Sequence, residues 1–145
     1  MNLQLTFDFL KELSKHNAKE WMDANKSWYL DAKSQVLELV QRVVNKVQAD
    51  MPELNGIEVK KTLFRINRDI RFSKNKDPYK TNFGASIVPG GKNSGNPGYY
   101  IHIKPGDCFV GGGIYQPSPD ALKKIRQEID YNGDRLMQII GRTVF

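Results

Sequence analysis

Three arginines and one aspartate recur at close spacing in Arg65-x-x-Arg68-Asp69-x-Arg71-Phe72, and Lys76, Tyr79 and Lys80 follow within a few residues. A guanidinium is a planar fork of donors that matches carboxylate or phosphate oxygens and keeps its charge. Three of them in seven residues can clamp a dianion, with Asp69 orienting two and Lys76, Tyr79 and Lys80 extending the site from the next turn. Between Lys60 and Lys80 there are eight Lys/Arg and two Asp, an excess of six that equals the excess in the whole chain, 22 Lys and Arg over 16 Asp and Glu. The basic character is therefore local. A concentrated positive field repels itself unless an internal carboxylate, a partner or an anionic ligand offsets it. Three readings stay open. The segment binds an anionic, phosphorylated small molecule through Arg65, Arg68, Arg71, Lys76, Tyr79 and Lys80. It binds nucleic-acid phosphates, with Tyr79, Tyr99 or Tyr100 stacking on bases. Or it forms an internal Arg–Asp lattice in a structural or partner-binding module.

Acid–base chemistry has one candidate set. His102, flanked by Tyr100 and Lys104 on one strand face, can serve as a general base, and Asp69, Tyr79 and His102 are the residues expected to be catalytic if any are. A packed or solvent-facing histidine is the competing reading. No GxxxxGK[ST] loop and no GxGxxG opening a helix is present,. His16 and His102 are the only histidines and neither stands at metal-ligand spacing, so no metal and no cofactor is expected,. Cys108 is the single cysteine; it is read as a buried structural thiol and fits a reducing cytoplasm,. The N-terminus lacks a basic region followed by an apolar core, and no apolar run approaches the ~20 residues that span a bilayer. A cytoplasmic protein with no membrane partner is the expectation.

The elements that must position these residues fall into three zones. The first, Thr6 to Asp50, is helical: Thr6 is expected to cap a short helix bearing Phe7, Phe9, Leu10 and Leu13, and Asn17-Ala-Lys-Glu20 has the form of a capping box,. Trp21, Ala24, Trp28, Tyr29 and Ala32, then Val36, Val40, Val43, Val44 and Val47, continue at spacings that predict an amphipathic helix with the aromatics in the core,. The second zone, Gly56 to Gly113, reads as sheet. Leu63 to Phe72 alternates, with Phe64, Ile66, Ile70 and Phe72 on one face beside Arg68, and Arg65, Asn67, Asp69 and Arg71 on the other,. That strand is predicted to be central, with its polar face opening on the loop from Pro89 to Gly98 and with Arg68 finding either carbonyls or a buried carboxylate, for which Glu20, Asp23 and Asp31 are the candidates. Phe83 to Val88, Tyr99 to Lys104 and Cys108 to Ile114 are three more strands, and Pro89 to Gly98 is a loop by its Gly and Pro content, a candidate for ligand closure with a plain hairpin loop as the competing reading,. In the third zone Ser118 or Pro119 starts a helix that Asn132-Gly133 interrupts,. The fold class expected is α+β, with N-terminal helices and a C-terminal helix packed on one mainly antiparallel sheet.

Arg65-Ile-Asn-Arg68-Asp69-Ile-Arg71-Phe72-Ser73, then Asn75-Lys76-Asp-Pro78-Tyr79-Lys80-Thr81-Asn82, resembles the signature of the domain of unknown function 2461 family of uncharacterised bacterial and fungal proteins. Trp21…Asn25-Lys26…Tyr29, Gly98-Tyr99-Tyr100-Ile101-His102-Ile103 and Gly111-Gly-Gly113 with Pro117 and Arg126 support the resemblance, which runs from Phe9 to Ile140. It carries no activity with it. Members of that family continue into a further basic, Pro-Gly-rich segment, whereas this chain stops at Phe145. The length of 145 residues suits one domain over 1–145,, and the resemblance leaves a missing C-terminal portion as an open alternative.

Overall fold

The computed structural model describes residues 2–142, which divide into two compact units, Met1–Gly113 and Ile114–Phe145. The first unit opens with α1 (Gln4–Lys15), α2 (Lys19–Ala24) and α3 (Lys26–Val47), followed by a 3-10 turn (Pro52–Leu54) and a single helical turn, α4 (Val59–Thr62). The sheet comprises β1 (Phe83–Ile87), β2 (Gly98–Ile103) and β3 (Phe109–Gly113), antiparallel throughout and in the order β1-β2-β3. The fold is α+β, and α3 and α4 pack against β1. No helix among the described residues is long and apolar enough to cross a membrane.

Helical periodicity builds the core. α3 buries Ala32, Val36, Val40 and Val44, every fourth residue, so one stripe of a 22-residue helix faces inward,. α1 contributes Phe9, Leu10 and Leu13, and these residues cover Phe83, Ala85, Ile87, Ile101 and Ile103 of the sheet. Phe9 is the hub: Trp21, Trp28, Tyr29 and Phe83 surround it at ring-centre distances of 5.8–6.4 Å. The paired Trp and Tyr residues therefore line the core, as their spacing predicts. The alternation expected for Tyr99 to Lys104 also holds, with Ile101 and Ile103 buried and the residues between them on the opposite face.

Several local expectations are corrected. Thr6 does not cap α1. It lies inside the helix, fully buried, and its hydroxyl donates to Ala32 O (3.2 Å) and Gln35 Oε1 (3.0 Å) of α3. Asn17 makes no capping box; Ala18 precedes α2 without a side-chain cap. The stripe from Trp21 to Trp28 hides a break at Asn25, whose backbone N–H and side-chain amide both donate to Trp21 O (3.0 and 2.9 Å). Cys108 is exposed rather than buried, and its Sγ reaches Lys104 O across the Pro105–Asp107 turn (3.1 Å).

The largest correction concerns the arginine-rich segment. It is not a central strand; β2 is central, and Leu63 meets β1 through a single bridge to Ala85. Its facing is also different: Leu63 and Ile66 are buried while Phe64 and Phe72 are 42% and 95% exposed. The physical reason is competition for the backbone. Lys80 takes the Arg65 carbonyl (2.9 Å), Lys76 takes that of Ile70 (3.0 Å), and Asp69 accepts from the Arg71 N–H (3.3 Å), which removes groups a β ladder would use,.

The second unit contains α5 (Pro119–Tyr131) and α6 (Gly133–Ile140). Ser118 caps α5 by accepting from Ala121 N (3.2 Å), proline occupies its first position, and Asn132 ends it, as the sequence predicts,. The apolar stripe is present, yet Ile125, Ile129, Leu136, Ile139 and Ile140 all remain exposed.

Candidate functional site

The basic segment is an irregular hairpin anchored from outside. Phe64 N donates to Gly84 O at the edge of β1 (2.9 Å). The chain then folds back on itself: Asn67 bridges Tyr79, Arg68 N donates to Pro78 O and Lys80 N to Ile66 O, both at 2.8 Å. Asn17, in the α1–α2 turn, completes the anchor. Its amide donates to Tyr79 O (2.9 Å) and accepts from Tyr79 N (3.0 Å), so a side chain 62 residues away pairs with both polar groups of that peptide. Tyr79 is buried against this clamp, and the backbone that carries Lys80 is fixed by it.

The expected ligand-binding residues divide by what holds them. Arg71 is neutralised by Asp69 through two bonds, Nε to Oδ1 at 3.0 Å and Nη2 to Oδ2 at 2.7 Å. These bonds, with the Arg71 N–H and the charge of Arg65, hold the Asp69 carboxyl below its ordinary range,. Of the two kinds of partner expected for Arg68, the structure has the carbonyl and none of the carboxylates of Glu20, Asp23 and Asp31. Arg68 is half-buried and donates to Asp77 O (3.2 Å) and Ser73 Oγ (3.3 Å), which satisfy its charge with neutral acceptors. Lys76 closes the hairpin tip on Ile70 O.

Lys80 has a different environment. Burial pushes its ammonium below the ordinary lysine range, and the charges of Arg65 and Lys92 push it further,. Lys92, carried by the Pro89–Gly98 loop, donates to Leu63 O (2.8 Å). That loop is held by its own bonds, with Pro89 O accepting from Ser94 Oγ (2.8 Å) and Asn96 Nδ2 (3.0 Å). Both ammonium groups lie against one ring: Lys92 Nζ is 4.9 Å and Lys80 Nζ 5.8 Å from the centre of Phe64, within cation–π range,.

The same ring meets the face of the sheet opposite α1 and α3. Phe64 packs edge-on against Tyr100 (6.2 Å), Tyr100 lies 5.7 Å from Phe109, and His102 stacks on Phe109 at 4.8 Å and 12°. Tyr100 OH and His102 Nδ1 are 3.0 Å apart. The register sets Tyr100 between Ser86 and Gly111, and His102 between Gly84 and Phe109. An added Cβ at Gly84 would stand 2.7 Å from the Tyr100 hydroxyl, so a side chain there would displace that ring.

The expected catalytic residues thus have separate surroundings. Asp69 is tied to Arg71, Tyr79 is buried under the Asn17 clamp, and His102 belongs to the aromatic face. Of the tyrosines expected to stack on bases, Tyr79 is buried and Tyr99 packs on the core, which leaves Tyr100. Lys92 and Phe109 escaped the sequence reading. The Pro89–Gly98 loop is expected beside the basic segment, but composition does not single out Lys92 within it, and Phe109 is one apolar residue in an apolar strand.

Two clefts flank the cluster. One of about 750 Å³ runs between Glu53–Leu63 and Ser86–Asn93 and has Lys92 in its wall; one of about 280 Å³ is lined by Asn17, Arg68, Asn75, Asp77, Tyr79 and Lys80, with Thr81 and Asn82. The larger mixes lysines with Glu53 and Glu58, and Lys61 is already paired with Glu58, so size alone does not mark it as an anion site.

No curated protein and no solved structure matches the chain. The model of the family described as "Conserved hypothetical protein (DUF2461)" matches residues 5–145. The basic hairpin, its Asn17 clamp and the aromatic sheet face all lie within that match, and the chain belongs to the DUF2461 family.

Proposed function

We propose that this domain binds an anionic, phosphorylated small molecule, centred on Lys80, Lys92 and Arg65 rather than spread over the whole basic hairpin. The observation that carries the reading is the convergence of the Lys80 and Lys92 ammonium groups on the Phe64 ring, at 5.8 and 4.9 Å from its centre, where burial and the charges of Arg65 and Lys92 push the Lys80 ammonium below its ordinary range. Arranging like charges beside a half-buried ammonium costs stability unless something compensates, and a bound anion compensates all three at once. Arg68, lining the smaller cleft beside Lys80, is a secondary contact. For Arg71 and Lys76 a second reading is favoured. Each is exposed and donates to an oxygen of its own hairpin, as an internal network requires; Lys80, which also donates to Arg65 O, differs in being half-buried beside further cations.

The test is thermal and chemical denaturation of the full chain with inorganic pyrophosphate. A site that binds only the folded state gains about 2.7 kcal/mol of apparent stability at a hundredfold excess over Kd. The expected result is stabilisation that disappears in the Lys80→Met/Lys92→Met double variant and persists in Arg71→Gln. An unchanged midpoint at all pyrophosphate concentrations overturns the reading.

A further inference from the structure

We infer that the phosphorylated molecule is a sugar or other polyol phosphate, whose hydroxyl groups enter the cleft lined by Arg68, Asp77 and Asn82 while its phosphate meets Lys80. The inference rests on the anion-binding reading and adds the chemical class. Its independent observation is the lining of the cleft of about 280 Å³, in which every residue except Tyr79 carries an amide, a hydroxyl or a charge. Small-molecule sites are mostly apolar, with a few polar groups that fix orientation. A wall of amides, hydroxyls and charges offers nothing to a lipid tail or a flat ring. The larger cleft differs in this respect, since Ile57, Leu63 and Val88 contribute to its wall.

The cleft supplies what a hydroxyl needs. Each hydroxyl donates one hydrogen bond and accepts others, so a polyol site must mix donors with acceptors. Arg68 is held in place by Asp77 O (3.2 Å) and Ser73 Oγ (3.3 Å), and those two bonds leave further N–H donors on its guanidinium,. Asp77 brings a carboxylate that forms no ion pair among the described residues. Asn75 spends its carbonyl oxygen on Asp77 N (2.8 Å) and keeps its amide donors. Thr81 and Asn82 are half-buried in the wall, and neither side chain has a protein hydrogen-bond partner among the described residues.

Charge separates the two ends of the ligand. Arg68 and Asp77 offset each other within the cleft, whereas the Lys80 ammonium has the charges of Arg65 and Lys92 as neighbours. A second phosphoryl group in the cleft would meet the Asp77 carboxylate, which neutral hydroxyls can use as an acceptor instead. The reach is short. Lys80 both lines the cleft and carries the ammonium, so wall and charge are at most one lysine side chain apart.

Calorimetry on the full chain tests the inference with ethyl phosphate, ribose 5-phosphate and glucose 6-phosphate, which share a phosphate monoester and differ in hydroxyls. The better of the two sugar phosphates is expected to bind about tenfold more tightly than ethyl phosphate, as two added hydrogen bonds would give. Thr81→Val and Asn82→Leu remove hydrogen-bonding groups at nearly constant volume and touch no cation. Combined, they are expected to abolish that advantage and leave ethyl phosphate unchanged, with the fold checked by circular dichroism. Asp77→Ala, at an exposed position whose side chain holds nothing in place, should reduce the same advantage. Equal affinity for ethyl phosphate and both sugar phosphates, an advantage that survives the combined variant, or binding of pyrophosphate alone overturns the inference while leaving anion binding standing. Failure of pyrophosphate and all three monoesters to bind removes both.

Discussion

The two faces of one three-stranded sheet have opposite characters. On the covered face Phe83, Ala85, Ile87, Ile101 and Ile103 are buried under α1 and α3. On the other face the alternate residues Tyr100, His102 and Phe109 stay partly in water, flanked by Gly84, Ser86 and Gly111 and met at one end by Phe64 and two lysines. Strand alternation generates both sets from the same residues in sequence. The difference teaches where the packing that holds the fold is concentrated. Large apolar side chains without polar partners are buried on one side, and rings with nearby cations and room beside them are kept on the other.

The strongest way to break this comparison is to damage the covered face. Phe9→Ala removes the ring that four aromatics surround, and a Phe→Ala change in a core costs about 3–5 kcal/mol,. Urea denaturation should show that loss, and any change in anion affinity should vanish once the folded fraction is accounted for. Asn17→Ala is the next largest. It leaves the polar groups of the Tyr79 peptide without their side-chain partner, at about 1–3 kcal/mol,. Unlike Phe9→Ala it should also weaken anion binding, because it releases the backbone that carries Lys80. If Asn17→Ala lowers stability and leaves the affinity of folded protein for pyrophosphate intact, the clamp does not position the site.

How much of this was legible depends on which forces decide each element. α3, the helix pair after Ser118 and the three strands follow from burial periodicity and caps, which are local and written in sequence spacing. The Leu63–Phe72 alternation is equally clear as a pattern, yet no strand forms, because side chains of Lys76, Lys80 and Asp69 bond the backbone groups that pairing needs. Asn17 looked like a helix cap, since an Asn three residues before a Glu has that form; its actual partner lies 62 residues on, beyond any local pattern. The cation cluster was half legible. Arg65 and Lys80 stand in the charge-dense segment, whereas Lys92 reaches Phe64 only after the Pro89–Gly98 loop folds back.

The pH response sharpens the comparison on the open side. Lys80 has a folded pKa below its ordinary value of 10.5, so in the window just below 10.5 the unfolded chain binds more protons than the folded one,. Stability contributed through this group therefore rises as pH climbs through that window; below the folded pKa its unfavourable charge is fully present. Subtracting the stability profile of Lys80→Met from that of the native chain should leave a difference that grows with pH. Bound pyrophosphate should suppress that growth, because an anion favours the charged lysine. A flat difference would mean that neither burial nor the neighbouring charges lower the Lys80 ammonium.

The smallest expected effect is Asp69→Asn, and its smallness carries the argument. Asp69 and Arg71 form the best-aligned ion pair in the basic hairpin, but both are exposed and water screens them,. Their sequence neighbours made this pair look like the heart of the site. If binding instead centres on Lys80, Lys92 and Arg65, neutralising Asp69 frees Arg71 at the hairpin tip while the cluster around Phe64 keeps its geometry. Denaturation midpoints should hardly move, and pyrophosphate affinity should stay the same or rise slightly from the added positive field. A sharp loss of affinity in Asp69→Asn would shift the centre of recognition from the open sheet face back to the hairpin tip, and the contrast between the two faces of the sheet would then concern packing alone.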